Sequence, residues 1–348
     1  MDKKKIFWSV FSLLLAVLSV VAVMSQSGGI SIPELIEALK SAKPGWVAAA
    51  VISTACFIFL EGVAICSILK GIGYRRHLGR GLIYSTSDIY FSAITPSATG
   101  GQPASAFFMV KDGIPGGVVT VTLIVNLIMY TAGVVLLGII ALLINYKLFF
   151  GFRLLSKVLI IAGFLILSGL TFMFFMILRK GTVVFNSLRN IVNFLHRKHI
   201  IHRVDPKIAK INKAEIEYKE CVEVMSGKMP TLIKAFIWNF LQRASQILVP
   251  VFMYMAMGGN ASTAPMVFAS QCLITIGFNC VPVPGAMGVA DFLMIDGFSK
   301  LMTRDDAFRL EMLSRGISFY ICVIVSGIIM LFGYIMLRRR EKKQEVPL

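Results

Sequence analysis

Between residues 117 and 144 the chain reads "GVVTVTLIVNLIMYTAGVVLLGIIALLI", without one Asp, Glu, Lys or Arg. A run of roughly 20 apolar residues is enough to cross a ~30 Å hydrocarbon core as a helix. In lipid, a backbone must satisfy its own N–H and C=O groups, and a single apolar segment does so only as a helix. This feature commits the chain to the all-α polytopic membrane class. Further apolar runs lie at about 6–24, 45–69, 154–178, 231–257 and 307–337. The sequence is 57% hydrophobic over 348 residues, above the roughly half that soluble domains reach.

The charge balance supplies the orientation. Net charge is +17. In a membrane chain such an excess first marks cytoplasmic loops, and with them attraction to anionic headgroups; direct nucleic-acid binding is not expected. Six full crossings would place every basic cluster on one side: Lys3–Lys5, Arg75–Arg80, residues 179–230 and Arg338–Lys343. Both termini would then be cytoplasmic, in a multi-pass protein expected in a bacterial inner membrane. The first run, 6–24, is longer than a signal-peptide core and reads as a retained helix. Residues 31–44, "SIPELIEALKSAKP", have capping-box spacing at Ser31 and Glu34 and read as an interfacial amphipathic helix.

The expected domain is single, 1–348, with residues 179–230 as a basic cytoplasmic amphipathic insert. That insert holds 11 Lys or Arg against 5 Asp or Glu. Within it, Asp205 caps a helix with Pro206 in the first turn. Ile208, Ile211, Ala214, Tyr218, Cys221 and Met225 fall on one face. The face suits either the inner membrane surface or the bundle.

Two apolar stretches are broken. "ITPSATGGQPASAFFM" (94–109) separates short segments at 82–98 and 104–112, and "NCVPVPGAMGVADFLM" (279–294) separates 264–281 from 288–302. Neither piece of a pair spans comfortably, so each pair reads as re-entrant. The crossing count puts the first pair's entry on the cytoplasmic side and the second's on the outer side, an inverted-repeat-like pattern. Interrupted segments in corresponding halves point to a midplane site. Backbone unwound at that depth needs protein, water or ligand to satisfy it. The glycines would allow close approach, and helix starts beyond each break would turn N–H groups toward an anion such as a lipid phosphate. The other reading of the breaks is packing kinks.

Ionisable residues at membrane depth are expensive there. Glu61, Asp88, Asp291, Asp296, Arg243 and Arg315 are the candidates. Arginine suits phosphate through its planar fork. Arg243 and Arg315 either contact a lipid headgroup in a hydrated cavity, with the acids compensating, or form structural ion pairs. Asn126, Asn239, Gln242, Gln246, Gln271 and Asn279 could line the same cavity or hold helices together. His196, His199 and His202 lack a fourth ligand for a metal. The six cysteines form no C-x-x-C pair and read as buried hydrophobes. No catalytic triad or nucleotide fingerprint occurs, and no cofactor is expected.

"TPSATGGQPASAFFM", then "VPVPGAMGVADFLM" and an Arg in the last helix, resemble the lysylphosphatidylglycerol synthase transmembrane-region (flippase-like) family over about residues 5–340. The resemblance implies lipid-site roles for Gly100, Gly101, Gln102 and Pro103, and for Pro282, Pro284, Gly285, Gly288 and Asp291, with Arg315 as the family's last-helix arginine. Three positions depart from the pattern: Gln102 stands where an acid is common, Ala286 where a glycine is, and Asp291 is the acid of the second motif. In the two-domain synthases the membrane part is held to translocate aminoacylated phosphatidylglycerol, while a soluble domain transfers the amino acid from tRNA. With "RRREKKQEVPL" following the last span, that domain is not expected here, and the resemblance implies the translocase part. The partner is then a membrane phospholipid, anionic or aminoacylated. The alternatives are a phosphatidylglycerol lysyltransferase (lysyl transfer from lysyl-tRNA, cationic-peptide resistance) served by a soluble aminoacyltransferase partner, and a small-solute secondary transporter.

Overall fold

The computed structural model describes residues 37, 39–95, 98–197, 205–279, 281 and 283–344. Every regular element among them is helical: α1 (Pro44–Ile72), α2 (Leu78–Ile94), α3 (Gly101–Lys111), α4 (Gly116–Gly151), α5 (Leu154–Arg179), α6 (Gly181–Arg197), α7 (Asp205–Ser226), α8 (Met229–Ala256), α9 (Ala264–Asn279), α10 (Val289–Phe298), α11 (Arg304–Arg315) and α12 (Cys322–Gln344). A π-helical stretch, Gly316–Ile321, joins α11 to α12. Among the described residues, four segments are long and apolar enough to cross a membrane: Pro44–Ile72, Gly116–Gly151, Leu154–Ile177 and Arg304–Arg338. The expected run at 6–24 lies outside the described residues, as does half of 31–44. The segment expected at 231–257 is α8, 28 residues long but studded with Asn239, Gln242, Arg243 and Gln246.

Local chemistry explains several boundaries. The uncharged run beginning at residue 117 stops where Asn145 leaves helical geometry and its side-chain oxygen accepts from the Lys147 N–H. That bond competes with the helix ladder, as Asn side chains do at helix ends. The C-terminus of α1 turns at Gly73, whose φ of 105° suits a residue without Cβ. Lys228 donates to the Gly71 carbonyl there, a cation at the negative end of the helix.

The broken stretches form two antiparallel hairpins. At the base of α2–α3, Asp112 accepts from the Tyr84 hydroxyl (2.5 Å) and from Arg76 Nε (3.1 Å), and pairs with Arg80 (3.2 Å). Two residues of the basic 75–80 cluster are therefore clasps as well as charge. At the base of α9–α10, Asp296 accepts from Ser156 Oγ (2.6 Å) and the Arg153 N–H (2.9 Å). The direction of each hairpin follows from α4. Its start, Val118 and Val119, shares a core with Ile83 and Tyr84 of α2 and Phe108 and Met109 of α3. Its far end, Ala141, shares another with Leu273 of α9 and Leu293 and Phe298 of α10. Straight helix from Gly116 to Ile144 measures roughly 43 Å at 1.5 Å per residue. The hairpin bases thus sit at opposite ends of the bundle.

Between apolar helices in lipid, association rests on close van der Waals contact rather than water exclusion, which favours small residues. Gly62 of α1 meets Gly81 of α2 backbone to backbone: a Cβ on Gly62 would lie 2.7 Å from the Gly81 carbonyl carbon. The insert packs on the bundle rather than lying free. Tyr218, Cys221 and Met225 of α7 are buried, the Gly117 N–H donates to Glu217, and Tyr218 donates to the Ile177 carbonyl. His199 and His202 lie outside the described residues.

Candidate functional site

The tip of the first hairpin is held by its own side chains. Thr95 Oγ1 donates to the Phe91 carbonyl (2.6 Å) and accepts from the Gly100 N–H (2.9 Å), replacing helix bonds lost at the break. Gly101 opens α3 against α2, and a Cβ there would fall on Ser92 Oγ and Asp88 Oδ1. The Asp88 carboxylate therefore occupies the first turn of α3. It also accepts from Ser92 Oγ (3.0 Å) and Gln102 Nε2 (2.8 Å). Pro103 falls in the first turn of α3, where its missing N–H has no helical partner to lose.

The second tip depends on left-handed backbone at Gly285 (φ 60°), Ala286 (φ 49°) and Gly288 (φ 75°). Asp291 accepts from the Gly288 N–H (2.9 Å), capping α10. Both half-helix starts thus already face a carboxylate of the chain, at the positions where the sequence suggests a ligand anion. Arg315 braces this tip. Its Nη1 donates to the Gly285 carbonyl (3.3 Å), and its Nε lies 2.9 Å from Asp291 Oδ1, an ion pair without hydrogen-bond alignment. Glu311, one turn earlier, lies 4.0 Å from the same Nε. The π-helical stretch begins directly after Arg315 and places the Phe319 ring 4.8 Å from its guanidinium; such stretches recur at functional sites.

The tips meet at one cavity of about 520 Å³. Ala98 and Gln102 line it from the first hairpin, and Val281, Val283, Gly285 and Ala286 from the second. Arg243 and Arg315 line it too, with Glu61 and Asp88. Arg243 stacks on the Tyr130 ring (3.9 Å to its centroid) and on Phe57 (5.1 Å). Its Nη1 donates to Gln246 (2.7 Å), and its buried Nε has no hydrogen-bond partner among the described residues. No carboxylate is within ion-pair distance of it among those residues. Tyr130 is fixed in turn by donation to Asn279 (2.7 Å). Glu61 accepts from Gln242 (3.0 Å), and Asn239 donates to Asn126 (3.0 Å). Pro250 of α8 also lines the space; without an N–H it frees the Gln246 carbonyl one turn back. The opposite wall is apolar, formed by Ile166, Leu167, Leu170 and Phe174 of α5.

The model of the lysylphosphatidylglycerol synthase TM region matches residues 9–326. The chain belongs to that family. A comparison with curated proteins found no match. The membrane setting and a place in lipid metabolism rest on the family and the apolar helices.

Set against this family's motifs, the site residues divide into two groups. Gln102, Gly285, Arg243, Arg315, Glu61 and Asp88 line the cavity. Gly100, Gly101, Pro103, Gly288 and Asp291 shape or cap the tips without lining it. Pro284 lies in the second turn, and Pro282 is outside the described residues. Asp296 stays at the far hairpin base. The departures from the pattern gain physical content. Gln102 donates to Asp88, which an ionised acid at 102 could not do. Ala286 sits in a conformation that favours glycine, so a glycine there removes a steric cost. The sequence reading missed Tyr130, Phe57 and Ser92. Tyr130 lies one helical turn after the polar Asn126 in an otherwise apolar run, the one signal that could have found it.

Proposed function

We propose that the chain is an integral-membrane lipid translocase, and that the cavity between the hairpin tips receives the phosphate-bearing headgroup of an anionic or aminoacylated phospholipid such as phosphatidylglycerol. The observation that carries this reading is Arg243: a half-buried guanidinium lining the cavity, held by Tyr130 and Phe57, with no carboxylate in ion-pair range among the described residues. A cation at such depth is costly unless something compensates it, and a guanidinium fork matches phosphate oxygens. Arg315 is largely committed to Gly285 and Asp291 and contributes through the one buried nitrogen, Nη2, that lacks a partner. Gln102 and Gly285 complete the polar wall. The apolar wall on α5 supports a lipid over a small polar solute, because Ile166 lines the cavity and is still 47% exposed. An acyl chain would leave along that wall while the headgroup stays in the polar half.

In this reading the chain crosses six times, with both termini and residues 179–230 in the cytoplasm. Membrane-impermeant labelling of single cysteines at positions 228 and 260 should report opposite sides; labelling from the same side would refute that topology. Function is tested in proteoliposomes by leaflet exchange of labelled phosphatidylglycerol, lysyl-phosphatidylglycerol and a glycolipid. Arg243→Met should slow exchange of the phospholipids roughly tenfold to a hundredfold, the equivalent of one lost charge-assisted hydrogen bond. Absence of exchange for all three lipids would overturn the reading.

A further inference from the structure

Among the described residues, Glu61 and Asp88 are the acids lining the cavity, and the headgroup reading leaves them unused. They come from different helices, α1 and α2, brought together by the Gly62–Gly81 backbone contact. Each is almost wholly buried, at 6% and 7% exposure. Both carboxyl groups face the same cavity, near enough to act on one another electrostatically. Two like charges buried in one low-dielectric wall oppose each other's ionisation, as in paired-carboxyl enzymes.

The surroundings are settled on every side. On α3, Gln102 donates to Asp88, and on α2 so does Ser92. On α8, Gln242 donates to Glu61 while its own Oε1, buried, has no partner among the described residues. That unpaired acceptor, in a side chain only 1% exposed, marks a place for a further donor beside the pair. The charged and titratable groups near the pair are Arg243 of α8, which acts electrostatically on both carboxyls, and the Cys322 thiol of α12. Tyr130 of α4 stands behind Arg243. Arg315, also on the cavity, is matched by Asp291 and Glu311.

We propose that Glu61 and Asp88 form a proton-exchange site that takes up a second proton when an anionic headgroup engages Arg243. This rests on the headgroup reading above. With the cavity free of anion, the pair carries one proton and one negative charge, which Arg243, beyond ion-pair range, offsets only at a distance. A phosphate docked on Arg243 claims that offset. The pair's remaining negative charge is then uncompensated in a low-dielectric site, so a proton from the aqueous phase adds to the carboxylate oxygen and leaves two neutral carboxyls. No bond other than this O–H forms, and release reverses it. Linkage is reciprocal: if headgroup binding draws in a proton, acid tightens headgroup binding. A proton gradient would thereby bias headgroup occupancy between leaflets.

The test uses the full chain purified in an uncharged maltoside detergent, titrated calorimetrically with short-chain phosphatidylglycerol in two buffers of different ionisation heat. The difference in heats counts protons. The expected result is uptake approaching one proton per bound lipid, and affinity rising by up to about tenfold per unit fall in pH over that range. Binding with identical heats in both buffers overturns the proton site and leaves the headgroup reading standing. No binding at any pH overturns the headgroup reading instead. Infrared spectroscopy of the unliganded protein then decides the pair independently. A protonated-carboxyl stretch at neutral pH that is lost in both Glu61→Gln and Asp88→Asn supports it, and its absence from the unsubstituted chain refutes it. The calorimetric arm needs no variant, so a folding defect in either substitution does not shelter the proposal.

Discussion

Gly101→Ala tests whether the first hairpin tip is as tightly closed as its geometry requires. A methyl carbon at Gly101 would land on Ser92 Oγ and Asp88 Oδ1 and lie 2.7 Å from the Asp88 backbone oxygen. Ser92 can rotate away, but the backbone oxygen cannot. Relief therefore needs α3 to move off α2, and overpacking of this kind costs typically 1–3 kcal/mol. Displacing the Asp88 carboxyl also strains its charge-assisted bonds from Ser92 and Gln102, each worth about 1.5–3 kcal/mol when lost. A total of about 3 kcal/mol, or two decades in the folded-to-unfolded ratio, is expected. Reversible unfolding in mixed detergent and dodecyl sulfate measures it. Gly79→Ala, on the same hairpin with no atom within 4 Å of the added carbon, is the internal control. It should stabilise slightly, because alanine is the better helix residue. If Gly101→Ala behaves like Gly79→Ala, the close approach of α3 to Asp88 is wrong, and with it the placement of the tip.

Gln102→Glu should cost about 2 kcal/mol at pH 8, the value of a lost bond to a charged acceptor, and recover most of it at pH 5. A protonated carboxyl can donate to Asp88 as the amide does, so stability falls as pH rises through the new group's folded-state pKa; equal losses at both pH values would refute this. Ala286→Gly should be neutral to stabilising by up to about 1 kcal/mol, since release of a left-handed alanine is offset by glycine's greater freedom when unfolded, and a loss beyond that would show that φ at 286 is not left-handed. In the insert, Lys219 and Arg189 hold the Glu215 carboxyl below the ordinary carboxylate range. A group with a lowered folded pKa contributes stability above its unfolded value and loses it as pH falls through the folded one. Hydrogen exchange on α6 should therefore quicken relative to α4 in acid, below about pH 4, and an unchanged ratio would dissolve the α6–α7 clasp.

Sequence alone settled the features that depend on one residue and its neighbours along the chain. The uncharged run after residue 117 demands a helix in lipid. The clusters of Pro and Gly near 95–103 and 281–288 cannot continue a helix, so the two breaks were legible, as was the apolar face of α7. What sequence does not carry is register between helices, because periodicity ranks the faces of one helix and is silent on which neighbour each face meets. Gly62 and Gly81 look like ordinary small residues until their backbones touch; that contact sets α1 beside α2 and brings Glu61 to Asp88. The Tyr130 ring under Arg243 and the Gly285 carbonyl on Arg315 likewise join residues far apart in the chain, 113 and 30 positions respectively. Opposed entry of the two broken pairs was an expectation from the crossing count; which side chains their tips bring to one cavity was decided only by the tertiary structure, because close packing of helix backbones, not local sequence, fixes where a buried charge finds its partner.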